Sequence, residues 1–363
     1  MVNNIFIMAD IVALGCGLVG EYVITKLIEE GHNLTVVGLE IPNKLLNKCS
    51  TVVMDALEFV NNIQGNPLII NMLPGSIGHE VRKKLLVKKL NVVDLAFTIE
   101  DPRKYNSLAI KNNCSLVYDT GIAPGFSNLL VAKAINLLET IDECKIRVGG
   151  IPAEPDQNWS YMAPFSPTDV IEEYERPARI LQNYKTVEFS ALHELHSINY
   201  TNLTNGEVGI LQAFMTDGLR SLLDLKSCKN MSEYTLRWPG HIEKFIELQK
   251  KGLLKEDNRA KTISNLVESW KFDNNKDEFT LLDVSISSKN GEKRWIVYDT
   301  GTNDASSMAR TTGLVTLGFV DEMLNKTIPA GVFAPEELHK INGLTQRIIH
   351  KLKDENVKIR ELF

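Results

Sequence analysis

A glycine-rich turn near the start of the chain constrains the fold more than any other feature. Gly15, Gly17 and Gly20 follow an apolar run at residues 11–14 and open an amphipathic helical pattern. In this strand–turn–helix context the spacing G-x-G-x-x-G permits a tight turn, the close approach of a pyrophosphate and the packing of helix on strand. Phosphates are also favoured at the positive end of a helix. The segment therefore predicts a dinucleotide-binding unit.

Further apolar runs alternate with helical patterns through the first third of the chain. They are apolar on both faces, as strands buried in a parallel sheet are, and the alternation indicates βαβ units. We therefore predict an α/β fold class with a Rossmann-type doubly wound parallel sheet. Its predicted strands cover residues 11–14, 34–37, 51–54, 67–73, 91–95 and 115–118.

The pattern changes after residue 124. Strands with stronger alternation follow, at residues 145–148 and 280–286, and predict a second α+β domain with a mostly antiparallel sheet. A long helical pattern at residues 305–324 is expected to pack back on the first domain. The predicted domains are residues 1–124 completed by 301–363 for the dinucleotide, and residues 125–300 for catalysis and dimerisation.

Composition excludes several classes of protein. The 363 residues are 44% hydrophobic and 24% charged, which is ordinary for a globular chain and excludes a fibrous or disordered one. Forty Lys and Arg against 46 Asp and Glu give a net charge of −6 without a basic block, which argues against nucleic acid or an anionic membrane as partner.

The five cysteines and the N-terminal stretch favour a cytoplasmic protein. The cysteines are odd in number and form no CxxC pair, which favours free thiols in a reducing cytoplasm over a disulfide framework. No apolar run reaches the length of a membrane span. The first 20 residues are apolar, but Asp10 interrupts them and they fit a strand and turn better than a signal peptide, with Met8 as a possible start.

An acid after the second predicted strand bears on the choice of dinucleotide. Glu40 lies 20 residues beyond Gly20, where a carboxylate can bind the ribose hydroxyls of NAD and repel the 2′-phosphate of NADP; a solvated acid is the alternative. Asp55 could reach the adenine edge or cap a helix. Ligands bind outside the carboxyl ends of parallel strands, so residues at the ends of the predicted strands 67–73 and 91–95 are further candidates for cofactor binding. The candidate cofactor-binding residues are Gly15, Gly17, Leu18, Val19, Gly20, Glu40, Asp55, Leu73, Pro74 and Phe97.

Two more carboxylates, Asp94 and Asp119, end apolar strands and belong to the same predicted edge. Either could transfer a proton or fix a loop. A metal site is not expected. His193 and His196 form HExH, one residue short of the HExxH spacing that places two ligands on one helical face.

The segment at residues 119–128, DTGIAPGFSN, resembles the DxGxxPGxSN signature of the saccharopine dehydrogenase superfamily. Other segments are similar to its lysine 6-dehydrogenase branch, and together they cover almost the whole chain. They are residues 149–152, 161–169, 171–178, 214–220, 235–241 and 307–313.

This resemblance implies an oxidoreductase that uses NAD to oxidise the side-chain amine of L-lysine, as a homodimer. Ammonia would be released with the semialdehyde or its cyclic imine. In similar proteins the ribose-binding acid aligns with Leu39, one place before Glu40, which weakens the inference of NAD over NADP. Two alternatives stay open. One is a saccharopine dehydrogenase or reductase acting on another amino acid or polyamine-related amine, which needs extra arginines. The other is a non-catalytic NAD sensor.

The implied chemistry assigns roles to residues of the second domain. A substrate α-carboxylate needs a cation, and Arg237 or Arg220 could supply one; an ion pair within the domain is the alternative for each. The amine, with an ordinary pKa of about 10.4, must lose its proton before hydride leaves. His241 is one possible base, or a packed histidine. The candidate catalytic residues are Asp94, Asp119, Tyr161 and His241, and the candidate substrate ligands are Asn128, Asp169, Arg220 and Arg237, with Asp169 also a possible base.

Overall fold

A computed structural model describes residues 8–363, apart from the side chain of Thr168. Residues 1–7, the start of the apolar N-terminal stretch, lie outside the described residues. The strands are β1 (Asp10–Leu14), β2 (Asn33–Gly38), β3 (Ser50–Val53), β4 (Leu68–Asn71), β5 (Val92–Asp94), β6 (Ser115–Tyr118), β7 (Ile141–Pro152), β8 (Ala178–Gln182), β9 (Lys185–Phe189), β10 (His196–Asn199), β11 (Ile210–Met215), β12 (Cys228–Arg237), β13 (Glu278–Ser288), β14 (Gly291–Thr300), β15 (Gly331–Phe333) and β16 (Lys358–Leu362). The helices are α1 (Leu18–Glu29), α2 (Ala56–Asn62), α3 (Gly75–Val87), α4 (Asn106–Lys111), α5 (Phe126–Leu138), α6 (Pro167–Glu175), α7 (His241–Lys250), α8 (Glu256–Ser269), α9 (Ser307–Leu324), α10 (Pro335–Leu338) and α11 (Leu344–Asp354).

The chain divides into two compact units. The first comprises the chain up to Gly121 together with Thr312–Lys351, and the second comprises Ile122–Thr311 together with Leu352–Phe363. Both units are therefore discontinuous in sequence.

The first unit is built on a seven-stranded sheet in the order β15-β6-β5-β4-β1-β2-β3. All its neighbouring strands are parallel. The strand order reverses at β1, where Leu14 pairs with Val37 of β2 on one side and with Asn71 of β4 on the other. The inner strands are buried on both faces because most of their side chains are apolar, and the predicted Rossmann-type sheet is confirmed.

The second unit contains a nine-stranded sheet whose main path is β10-β11-β12-β7-β13-β14-β16, with β8 and β9 attached through β12. Only the pair of β12 and β7 is parallel among the described pairs of this sheet, and the others are antiparallel. The predicted mostly antiparallel second sheet is confirmed.

The end of the chain departs from the predicted domain boundaries. The prediction assigns residues 301–363 as a whole to the first domain, whereas residues 301–311 and 352–363 belong to the second unit. For residues 352–363 the reason is β16, which pairs antiparallel with β14, for example Lys358 with Tyr298. An amphipathic strand of five residues carries no sequence signal that distinguishes one sheet from another.

The C-terminal part of α9 packs in the first unit through small residues. A Cβ at Gly313 would crowd the Tyr22 ring of α1, and one at Gly318 would crowd Ile348 of α11. The hydroxyl of Thr316 also donates to the carbonyl of Thr120, at 3.0 Å. Among residues 8–363, no helix is long and apolar enough to cross a membrane.

Candidate active site

The glycine turn between β1 and α1 has the geometry of a phosphate cradle. Gly15 has φ +90°, and a Cβ there would lie 2.8 Å from the carbonyl oxygen of Met72, so only glycine fits. A Cβ at Gly20 would lie 2.9 Å from the carbonyl oxygen of Gly15. Gly17 differs, because it is exposed and no atom lies within 4 Å of the place its Cβ would take. The turn is closed toward the protein and open on the side of Gly17.

The cradle is linked to the segment that follows β2. The Cys16 thiol donates to the carbonyl oxygen of Glu40, at 3.0 Å, and the Glu40 side chain is exposed. Leu18 is also exposed and Val19 is half-buried beside it. A Cys16 side chain in the variable place of the turn therefore fixes the backbone of the acid predicted to contact ribose.

Asp55 acts as a helix cap. Its carboxylate accepts hydrogen bonds from the backbone N–H groups of Leu57 and Glu58, at 2.9 and 3.1 Å, at the start of α2. The geometry favours the capping alternative over contact with an adenine.

Leu73, Pro74 and Phe97 lie at the carboxyl ends of β4 and β5. Leu73 is buried, Pro74 directly precedes α3, and Phe97 is half-buried in the segment after β5. This is the edge at which ligands bind in open α/β sheets.

Asp94, the last residue of β5, is fully buried and engaged in an ion pair. The Arg82 guanidinium of α3 donates from Nε to Asp94 Oδ2, at 2.5 Å, and the backbone N–H of Ala96 donates to Asp94 Oδ1, at 2.8 Å. A base must reach the proton that it removes. This arrangement favours the loop-fixing role that the sequence left open.

Asp119 is also buried, with φ +56° directly after β6. The next residue, Thr120, donates from its backbone N–H and its hydroxyl to the carbonyl of Asp94, at 3.3 and 3.1 Å. Thr120 thus joins the ends of β5 and β6 through its backbone N–H and its hydroxyl.

In the second unit, Asn128 is buried in the first turn of α5. Its Oδ1 accepts from the backbone N–H of Gly125 at 3.1 Å and from the Ser127 hydroxyl at 3.2 Å. These bonds fix the start of the helix, and Asn128 has a structural role in this geometry.

Arg237, at the end of β12, is only 3% exposed and all three of its nitrogens donate to protein atoms. Nε donates to Tyr174 Oη at 2.7 Å, Nη1 to the Leu236 carbonyl at 2.9 Å and Nη2 to Glu173 Oε2 at 3.2 Å. Its Cζ lies 4.2 Å from the centroid of the Tyr161 ring, a cation–π contact. This geometry favours an ion pair within the domain over binding of a substrate carboxylate as the role of Arg237.

His241, the first residue of α7, contacts the rings of Trp159, Tyr161, Tyr174 and Trp270, and we call these five residues the aromatic cluster. Its Nε2 accepts from Tyr174 Oη and its Nδ1 donates to the Trp159 carbonyl, both at 2.8 Å. Burial, together with the positive charge of Arg237, lowers the His241 pKa to about 3. A histidine that is neutral and bonded at both nitrogens is a packed residue rather than a base.

Helix α6 supplies two further carboxylates, those of Asp169 and Glu173. Asp169 and Glu173 are one helical turn apart, and burial raises the pKa of each. The Glu173 side chain is 28% exposed although its Arg237 partner is buried. Sequence reasoning missed Glu173, which lies in a run of acids; its i+4 spacing from Asp169 was the available signal.

Arg220 is half-buried with φ +55° at the start of a short 3-10 helix. The charge of Arg220 acts on Arg179, and Arg179 forms a two-pronged ion pair with Asp217, at 2.9 and 2.8 Å. Within residues 8–363, no group of three or more His, Cys, Asp or Glu side chains could hold a metal ion.

Comparisons with known proteins place this geometry in a family. Residues 121–357, well over half of the chain, match the family model described as Saccharopine dehydrogenase C-terminal domain. The apo saccharopine dehydrogenase (L-Glu forming) of Saccharomyces cerevisiae has the same fold, with a TM-score of 0.76 and 16% identity over 98% of this chain and 100% of that chain.

More distant structural matches include GenD2 from gentamicin A biosynthesis in complex with NAD, with a TM-score of 0.44 and 10% identity over 98% of this chain and 97% of that chain. The residues that match the family model cover the second unit up to Thr311 and the segment Thr312–Lys351 of the first unit. The chain belongs to the saccharopine dehydrogenase family and is an oxidoreductase of the class that acts on CH–NH2 or CH–NH donors.

Proposed function

We propose that this chain oxidatively deaminates the side-chain amine of L-lysine with NAD, acting as a cytoplasmic homodimer. The observation that carries the proposal is the glycine turn in a chain of this family. Gly15 is held against the backbone of Met72, while the space above Gly17 is open. A turn that is closed beneath and open above leaves room for a pyrophosphate at the N-terminus of α1.

The residues around the turn fit a nicotinamide dinucleotide. When bound, that cofactor supplies the hydride acceptor for the reaction. Gly17 and the start of α1 would hold its pyrophosphate, and Glu40 would accept hydrogen bonds from its adenosine ribose. The bond from Cys16 to the Glu40 backbone keeps this acid close to the turn, which supports NAD over NADP.

The protein must also remove a proton from the substrate ammonium. Glu173 suits this task because its side chain is 28% exposed while burial raises its pKa, and Arg237 holds it in place. We place the side-chain amine at Glu173 and Asp169 of α6. Arg237 is then a positioning residue, and the buried Tyr161 ring holds its guanidinium in place.

A substrate panel tests the activity. Absorbance at 340 nm would follow the reduction of NAD and NADP with L-lysine, saccharopine, L-ornithine and diamines, with ammonia release measured in parallel. We expect the highest kcat/KM with L-lysine and NAD, and one ammonia for each NADH. A highest kcat/KM with saccharopine, without ammonia release, would replace this proposal with the saccharopine dehydrogenase alternative. Sedimentation of the purified chain tests the homodimer.

The glycine turn gives a sharper test of cofactor binding. Gly17→Val should leave the melting temperature nearly unchanged, because the new Cβ points into open space, but it should block the pyrophosphate. We expect calorimetry to show at least a tenfold weaker NAD affinity. Gly15→Val is the contrasting variant, which should unfold at lower temperature because φ is +90° and Met72 is in the way. NAD affinity that survives Gly17→Val contradicts the proposed site.

Glu173→Gln tests the proton acceptor. We expect kcat at pH 7 to fall about a hundredfold, within the range for loss of general base catalysis, and to recover in part at high pH where the free amine is abundant. The control is Glu175→Gln on the same helix, whose carboxylate pairs with Arg259 outside the aromatic cluster. A pH-independent loss in Glu173→Gln would assign a purely structural role to this carboxylate.

A further inference from the structure

Helix α3 packs its backbone directly on the segment that follows β5. Gly75, Gly78 and Arg82 lie on one face of α3, because they are three and four residues apart. A Cβ at Gly75 would overlap the carbonyl of Phe97, and one at Gly78 would overlap the Ala96 side chain. We call residues 95–98, which this face covers, the β5 turn.

Arg82 completes this face and is 0% exposed. Besides its Nε bond to Asp94 Oδ2, it donates from Nη2 to Asp94 Oδ1 at 3.3 Å and to the Ala96 carbonyl, and from Nη1 to the Thr98 hydroxyl. These bonds of the guanidinium all end on residues 94–98. The carboxylate of Asp94 also accepts from the Ala96 N–H, which closes the network.

A buried ion pair is weak evidence for stability, since desolvation offsets much of its attraction. The informative property of this pair is which part of the backbone it holds in place. The effect here is to hold one short turn at the carboxyl end of β5. The sheet order places this turn on the β4 side of the glycine turn, opposite to β2 and Glu40. A dinucleotide with its pyrophosphate over Gly17 and its adenosine toward Glu40 would direct its other nucleoside toward the β5 turn.

We propose that Arg82 and Asp94 are positioning residues that hold the β5 turn as the wall for the nicotinamide half of the cofactor. The inference rests on the proposed function and deepens it. Asp94 then acts through the turn rather than by taking a proton. The turn contributes nothing to binding of the adenosine half, which lies on the other side of the glycine turn.

The test uses the double variant Arg82→Met/Asp94→Leu in the full chain, which replaces the buried pair with apolar side chains of similar volume. Calorimetry would measure the affinities for ADP-ribose and NADH, and fluorescence would record the shift of NADH emission on binding. We expect ADP-ribose affinity within twofold of wild type, NADH affinity about tenfold weaker, and loss of the emission shift. Arg82→Lys keeps the charge but loses the planar fork, so an intermediate loss of NADH affinity is expected.

The matched control is Arg347→Met/Glu322→Leu, which removes an ion pair between α11 and α9 of the same unit. It should leave the preference for NADH over ADP-ribose unchanged whatever its melting temperature. Wild-type NADH affinity and emission in both Arg82 variants would overturn the inference, as would an equal loss of ADP-ribose and NADH affinity. A wild-type chain that binds neither ligand would instead overturn the proposed function, and the inference with it.

Discussion

At the scale of single residues, the aromatic cluster of the second unit shows how hydrogen bonds determine protonation. Arg237 Nε donates to Tyr174 Oη, and Tyr174 Oη in turn donates to His241 Nε2. The proton of the imidazole is therefore on Nδ1, which donates to the Trp159 carbonyl. A second proton, on His241 Nε2, would displace the hydrogen bond that Tyr174 Oη donates and would lie near the positive Arg237. Burial and this charge keep the histidine neutral.

The lowered pKa of His241 predicts a loss of stability in mild acid. The folded pKa is about 3 against an ordinary 6.5, so the unfolded chain binds the proton first as the pH falls. The stability is full above pH 6.5 and is lost as the pH falls toward 3. Between pH 7 and pH 5 this single group should cost about 2 kcal/mol.

Urea denaturation at pH 7 and pH 5 measures this effect. His241→Asn keeps a donor and an acceptor but does not titrate, so its free energy of unfolding should fall less than that of wild type between the two pH values. His350→Asn, at an exposed histidine of α11, is the control and should retain the wild-type pH dependence. An equal pH dependence in His241→Asn and wild type would contradict the assignment of a neutral buried imidazole.

At the scale of elements, a buried carboxylate ties neighbouring strands of the second sheet together. Asp283 of β13 is 0% exposed and accepts from Arg147 of β7 at 2.9 Å and from two nitrogens of Arg294 of β14, both at 2.8 Å. The hydroxyl of Tyr200 also donates to it, at 3.1 Å. Two positive charges, one in each of the strands that flank β13, thus share one negative partner.

Asp283→Ala should therefore destabilise the chain strongly. The change leaves two guanidinium groups close together without a counter-charge, at a cost of about 3–5 kcal/mol in the free energy of unfolding. Chemical denaturation of the variant checks the value. Asp277→Ala, at an exposed position just before the same strand, should change the stability by less than about 0.5 kcal/mol. Equal effects of the two substitutions would show that the shared carboxylate is dispensable.

At the scale of the whole molecule, the chain leaves and re-enters each unit. After the second unit it returns to the first at Thr312 and ends in the second unit with Leu352–Phe363. The last strand, β16, covers the edge of β14 through paired residues from Arg294–Leu362 to Tyr298–Lys358. Lys133 of α5 adds an ion pair to Glu361 at 2.8 Å.

Deletion of residues 358–363 should therefore weaken the second unit rather than trim a free end. It exposes the backbone edge of β14 and removes the partner of Lys133, so we expect a lower urea midpoint and a greater tendency to associate. Deletion of Phe363 alone is the control, because it removes a side chain that is 78% exposed and an acceptor of Lys293 but leaves the pairing of β16 with β14 intact. A midpoint that is the same for both deletions would contradict a structural role for β16.

The sequence by itself determined the first sheet and its glycine turn. Apolar runs on both faces specify buried parallel strands, and Gly15 and Gly20 occupy places where no side chain fits. These are local properties, since periodicity and the absence of a Cβ act within a few residues. They sufficed for the Rossmann-type sheet and for the predicted position of its ligand-binding edge.

Only the tertiary structure decided which polar side chains are engaged with one another. Arg82 and Asp94 are 12 residues apart, and Glu173 and Arg237 are 64 apart, so no local pattern reveals that each pair is formed. The same holds for β16, whose sheet is chosen by pairing with β14 and not by its own composition. A charge becomes a base, a cap or an ion-pair partner through neighbours distant in sequence, because desolvation and pairing depend on what the folded chain packs around it.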